Sequence, residues 1–117
     1  MKKVSLTTAL RAYAWETGGQ AWELLQDPSL SVKLESMAAG GGEQRHYHRQ
    51  SRQFFFILQG KALIETDGTV TTLHREEGLY VPEGSRHRIY NPFDREVRFL
   101  VISAPEIGND RINLKDD

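Results

Sequence analysis

The stretch that decides the fold is His46-Tyr47-His48-Arg49-Gln50-Ser51-Arg52-Gln53-Phe54-Phe55-Phe56-Ile57-Leu58-Gln59-Gly60. It opens on two imidazoles one residue apart. In an extended strand residues i and i+2 share a face, so His46 and His48 project together, within reach of one ion. The run Phe54 to Leu58 is apolar on both faces of a strand. Alternation would leave one face in water, so both are expected to be covered. One side would line a barrel. The other, carrying Phe54, Phe56 and Leu58, calls for a second layer or a partner subunit. Gln53 lies five residues after His48, the wrong parity for an unbroken strand. The polar Arg49-Gln50-Ser51-Arg52 supplies a turn that resets the phase and sets Gln53 on the face of Phe55 and Ile57.

Outward from this stretch, turn signals punctuate short β-prone runs. Asp27-Pro28, Gly40-Gly41-Gly42, Asp67-Gly68, Pro82-Glu83-Gly84 and Asn91-Pro92 separate Leu30–Met37, Ala62–Thr66, Val70–His74, Leu79–Val81, Arg86–Tyr90 and Val97–Ser103. No amphipathic helical period lasts three turns, so the class is all-β, a sandwich or barrel. A two-residue turn at Asp67-Gly68 pairs Thr66 with Thr69, Ile64 with Thr71 and Lys61 with His74, which leaves His74 a structural or solvent-facing residue. At the start of the chain Ala14-Trp15-Glu16 returns as Ala21-Trp22-Glu23. A turn at Gly18-Gly19 would set Trp15 against Trp22 across a hairpin. The expected division is an N-terminal extension over 1–29 carrying that hairpin, a barrel over 30–103, and a polar tail over 104–117 that is loose or returns as an edge strand.

A third imidazole, His87, enters on a strand after Pro82-Glu83-Gly84. Alternation puts Ile89 and Asn91 on its face and Arg86, Arg88 and Tyr90 on the other. Here the chain resembles a known family. Gly40, His46, His48, Gln53 and Gly60 match the spacing of the first cupin motif, and Pro82, Gly84, His87 and Asn91 match the second. The resemblance, to the small single-domain bacterial cupins, spans roughly residues 30–103. It implies a jelly-roll β-barrel (a double-stranded β-helix), usually homodimeric, with a divalent metal held inside by His46, His48 and His87. Two positions depart from the family pattern. The usual glutamate ligand is Gln53, and the glycine that opens the second motif falls on Glu76, with Gly78 two residues on.

The first departure changes the chemistry. Gln53 offers a neutral amide oxygen, a weaker donor to a hard cation than a carboxylate. It either ligates directly or hydrogen-bonds a bound water or a histidine ring nitrogen. A site of three imidazoles keeps the full +2 charge of its ion and acidifies a bound water more strongly. Imidazole-rich ligation favours one divalent first-row transition metal, Zn, Ni, Fe or Mn, over Mg or Ca. Phe55, Ile57, Tyr80 and Ile89 are the expected pocket lining. Arg45, Tyr47, Arg86 and Arg88 point away by parity. Glu43 and Glu83, on loops beside the motifs, are the nearest acid–base candidates.

Composition narrows the function classes. Lys plus Arg is 15 and Asp plus Glu 16, a net charge of −1, which gives no long-range attraction to nucleic acid or anionic membrane. With zero cysteines there are no disulfides, thiolate metal sites or cysteine nucleophiles, in keeping with a cytoplasmic protein. No apolar run reaches the ~18 residues of a membrane span. The expectation is a small metal-binding barrel that acts on, or alternatively only binds, a small molecule.

Overall fold

In the computed structural model the described residues are 2–115; Met1 of the extension and Asp116 and Asp117 of the tail lie outside them. The elements are eleven strands: β1 (Arg11–Trp15), β2 (Thr17–Asp27), β3 (Leu30–Gly42), β4 (His46–His48), β5 (Arg52–Gln59), β6 (Ala62–Thr66), β7 (Thr69–Leu73), β8 (Gly78–Val81), β9 (His87–Tyr90), β10 (Val97–Ala104) and β11 (Arg111–Asn113). Every pairing is antiparallel. They form two arms, β1-β2-β3-β10-β5-β8 and β7-β6-β9-β4-β11. The arms join where β3 meets β9, at the strand pair Gly42 with Tyr90 and the backbone hydrogen bonds that flank it. This is an all-β jelly-roll barrel, with Met37, Phe55, Ile57, Ile64, Ile89 and Phe99 at the centre of its core.

Asn91 locks the joint. Its side chain is fully buried and donates to the carbonyls of Met37 (3.1 Å) and Arg95 (2.7 Å) while accepting from Phe93 N–H (3.1 Å). Its backbone exchanges two hydrogen bonds of 2.8 Å with Gly40 and Gly41. The asparagine that closes the second motif therefore holds the two arms together. Gly40, Gly60 and Gly84 take φ of +80°, +78° and +80°, a region that glycine enters without steric cost. Glu76 also takes a left-handed φ of 67°, so the slot where the family pattern has glycine keeps its backbone conformation with a side chain attached. Gly78 is needed for space: a Cβ there would sit 2.6 Å from the Phe54 ring and 2.7 Å from the Phe55 carbonyl.

The hairpin at Asp67-Gly68 pairs Thr66 with Thr69 and Ile64 with Thr71, the register expected from the sequence. The N-terminal hairpin differs. Its turn is at Glu16, with φ 47°, and its register sets Trp15 opposite Gly19 and Trp22 opposite Ala12. Trp15 and Trp22 do not face each other. Gly19 makes room for the indole, because a Cβ would lie 2.7 Å from Trp15 Nε1. The tail returns as an edge strand, β11 pairing with β4 through Arg111–His48, Ile112–Tyr47 and Asn113–His46.

The outer face of the first arm is apolar. Phe54 is 39 % exposed and stacks on Phe56 at 6.3 Å, and Leu58 and Tyr80 are 38 % and 55 % exposed. Among the described residues no second layer covers them. The outer face of the other arm is polar instead: Arg88 pairs with Glu65 at 2.9 Å and lies over the Tyr90 ring, and Arg86 lies over Tyr47.

Candidate metal centre

His46 and His48 alternate onto the inner face of β4, and His87 is the cross-strand partner of His46 at the start of β9. All are buried, with ring centroids 4.3 Å apart for His46–His87, 5.0 Å for His46–His48 and 5.7 Å for His48–His87. One ligating atom from each lies within 4.8 Å of the other two. Gln53 reaches this cluster from the opposite arm. The turn at 49–51 resets its phase, and Asp110 holds that turn by accepting the backbone N–H groups of Arg49 (2.8 Å), Gln50 (3.0 Å) and Ser51 (2.8 Å). Burial pulls the Asp110 carboxyl upward, but these donors outweigh it and leave its pKa below the ordinary range.

The ring orientations are set by backbone carbonyls. His46 Nδ1 lies 2.8 Å from Gln44 O and His87 Nδ1 2.9 Å from Ser85 O, so each Nδ1 is the donor and each Nε2 keeps its lone pair. Gln53 donates through Nε2 to Ser103 Oγ (3.1 Å), which turns Oε1 toward His87 Nε2, also at 3.1 Å. Two acceptors at that distance repel unless a cation or proton lies between them. A proton is disfavoured, since burial lowers the His87 pKa even against its Ser85 hydrogen bond. Burial likewise pushes His46 down to about 2, helped by His87 and Arg111, and His48 down to about 4. Neutral, buried and convergent imidazoles suit a soft-to-borderline divalent ion. The sharpest sign of fit is His48: both its ring nitrogens are buried and neither has a hydrogen-bond partner among the described residues. An orphan of that kind costs about 1–3 kcal/mol, and ligation would relieve it.

Beside the imidazoles lies a cavity of about 220 Å³. Its apolar lining is Trp15, Phe55, Val101 and Ile107, and its polar lining is Tyr13, Lys33, Glu35, Glu43 and Arg111 together with His46, His48 and Gln53. Of the expected lining, Phe55 is in place. Ile57 and Ile89 are fully buried in the core, where strand alternation carries them past the cavity, and Tyr80 stands on the outer face opposite Phe54. Glu83 is exposed on a separate recess near Pro105. Glu43 does line the cavity: its side chain is 6 % exposed, Oε1 accepts Ile89 N–H at 3.0 Å, and Oε2 lies 3.8 Å from Arg111 Nη1. Burial pushes its carboxyl up to about 8, against the pull of Arg111.

Residue-by-residue reading of the sequence missed Lys33, Glu35 and Arg111. Lys33 and Glu35 share a face of β3 by alternation, and their β10 partners Val101 and Phe99 are both buried, which identifies that face as the inner one. Arg111 arrives from the tail, bonded to Glu16 at 2.7 Å and Asn113 at 2.8 Å.

Comparison with known proteins agrees with this architecture. Residues 33–103 match the cupin domain, and the chain belongs to the cupin family. It is 32 % identical over 72 residues to polyketide synthase CurC of Streptomyces cyaneus, a match covering 62 % of this chain and 47 % of that protein. It is 34 % identical over 78 residues to tetracenomycin polyketide synthase protein TcmJ of Streptomyces glaucescens, covering 62 % and 52 %. The chain thus spans about half the length of these curated relatives. Among solved structures, the polyketide cyclase RemF from Streptomyces resistomycificus superposes with a TM-score of 0.83 at 19 % identity, covering 100 % of this chain and 87 % of that one.

Proposed function

We propose that this cupin is a metal-dependent enzyme acting on a small molecule that carries carbonyl or enol oxygens. His46 and His87 would hold a divalent first-row transition metal through Nε2, with His48 as the third imidazole and Gln53 Oε1 assisting. A bound ion of this class supplies a Lewis acid for a substrate oxygen. The chain's own contribution is a cavity whose Trp15, Phe55, Val101 and Ile107 exclude water and pack against the ligand's carbon frame, while the polar wall meets its oxygens. The observation that carries the proposal is the pair of orphaned nitrogens on buried His48. The relatives named for polyketide synthesis, a chemistry of repeated carbonyls, support the substrate class. Metal content by plasma mass spectrometry, beside a His46→Ala/His48→Ala variant, tests it: near one ion per chain in the parent and none in the variant is expected. No metal in the parent, even after supplementation, would overturn it.

One contact favours a second reading, a metal-free barrel that only binds its ligand. If the Gln53 amide is turned over, its NH₂ donates to His87 Nε2 and its oxygen accepts from the Ser103 hydroxyl, so two of the four site groups are satisfied without an ion. The same metal measurement decides between them. We further propose a homodimer in which a second copy covers the apolar outer face around Phe54, Leu58 and Tyr80. Sedimentation analysis should show two chains, and Phe54→Asp should return one.

A further inference from the structure

The cavity holds a carboxyl that the fold does not use. Glu35 sits mid-strand on β3 between Phe99 of β10 and Ala21 of β2, both fully buried. It lines the same cavity as the imidazoles. Glu43 has a structural task, accepting Ile89 N–H. Glu35 has none: among the described residues no hydrogen bond or ion pair holds its carboxyl, and only the more distant charges of Lys33 and Arg111 favour its ionised form. Glu35 is half-buried, so its unpartnered carboxyl is only partly solvated through the cavity, a cost to stability that brings the fold no contact in return. Such a cost is retained where a reaction uses the group.

We propose that Glu35 is the proton-transfer residue of this site, moving a proton at the carbon beside a substrate carbonyl whose oxygen lies at the imidazole cluster. The inference rests on the metal-dependent reading above. The Glu35 carboxylate takes the proton from the carbon. The C–H pair becomes the C=C of the enolate, and the carbonyl π pair moves onto oxygen. Returning the proton to carbon restores the carbonyl and leaves the carboxylate as it began, so no oxidant or further reactant is consumed. The remaining titratable and charged groups on this cavity are Tyr13 of β1, Lys33 of β3, Glu43 just past it, His46 and His48 of β4, and Arg111 of β11. Burial raises the Glu35 carboxyl to about 7, with Lys33 and Arg111 opposing, so near neutrality it is present both as acid and as base.

The test uses the full chain, with Zn or Ni added, and 2-hydroxyacetophenone in D₂O as the probe. This compound offers two neighbouring oxygens, an exchangeable α-proton and an aromatic ring for Trp15 and Phe55. Deuterium uptake at its α-carbon, followed by NMR, should exceed the buffer rate with the parent chain. It should fall by about 100-fold or more with Glu35→Gln, and less with Glu35→Asp, which keeps the carboxylate. Thermal denaturation of metal-free protein supplies a second readout. Glu35→Gln should raise the midpoint at pH 8, where the parent carboxyl is ionised in the fold, and leave it unchanged at pH 5. A structural role would instead lower the midpoint at both. Uptake by Glu35→Gln at the parent rate, or a lower midpoint at both pH values, overturns the proposal. Calorimetric metal titration of the same samples separates the failures. Metal bound without parent exchange removes the role of Glu35 alone, and no metal bound removes the metal-dependent reading with it.

Discussion

The cavity has two polar walls built on opposite physical terms. In the imidazole wall, His46, His48 and His87 with Gln53 beside them, backbone carbonyls set the rings of His46 and His87, while both nitrogens of His48 lack a partner among the described residues. The carboxylate wall, Glu35 and Glu43 with Lys33 and Arg111, carries its charges at the edge of neutralisation. Burial drives both toward their uncharged forms, and for the two residue types that means opposite proton counts. The histidines shed protons; the glutamates keep them. A pocket made this way sets neutral imidazoles near carboxyls that burial holds toward their protonated form, with Lys33 and Arg111 beside those carboxyls.

The largest test of the contrast is Gln53→Glu. A carboxylate on the imidazole wall should tighten a divalent ion by about 10- to 100-fold in a calorimetric titration, the scale on which groups around a metal act. An unchanged affinity would place Gln53 outside the site's electrostatics. Asp110→Asn comes next. Asp110 belongs to the tail that carries Arg111, yet it pins the turn between His48 and Gln53, so it ties the walls together. Replacing it should lower stability by about 1–2 kcal/mol in urea unfolding and weaken metal binding as well. A loss of stability with full metal affinity would show the walls to be independent.

The smallest effect is the pH profile of the metal-free protein. For the glutamates the folded pKa values, about 7 and about 8, lie above the ordinary 4.5. The native state then binds more protons than the unfolded chain over that span, so stability falls as pH rises through it. For His46 and His48 the folded values, about 2 and about 4, lie below 6.5, so stability falls as pH drops below 6.5. The two sets oppose each other between pH 4.5 and 6.5, so thermal midpoints should form a plateau there and fall on either side of it, and Glu35→Gln with Glu43→Gln should flatten the alkaline limb. A monotonic profile would mean that the walls do not oppose each other.

The imidazole wall was legible because strand alternation acts within a few residues: His46 and His48 share a face by parity, and a polar turn is enough to bring Gln53 round. The Asp67-Gly68 hairpin was legible for the same local reason. The carboxylate wall was not. In Leu30–Met37, Lys33 and Glu35 alternate with Val32 and Leu34, a pattern that by itself turns the charges to water and the aliphatics inward. The barrel reverses it: Glu35 stands beside Phe99 on the inner face, while Leu34 is paired with Leu100 on the other. Nothing local announces that reversal. Arg111 escaped notice because a polar tail offers no periodicity, and its place depends on Asp110 and on the pairing of β11 with β4. Gly18-Gly19 misled because glycine pairs usually mark turns, whereas here Gly19 leaves room for the Trp15 ring.

The narrow backbone joint around Gly42 and Tyr90 bears on the order in which the molecule assembles. The residues that meet there are far apart along the chain, so closing the arms carries a large loop-closure entropy and belongs late in folding. His46, His48 and His87 all lie in one arm, where His46 pairs directly with His87, so the imidazoles assemble with that arm and Gln53 joins them when the arms close. An ion held by the imidazoles together with Gln53 would bridge the two arms, and by mass action its binding would favour their closed arrangement.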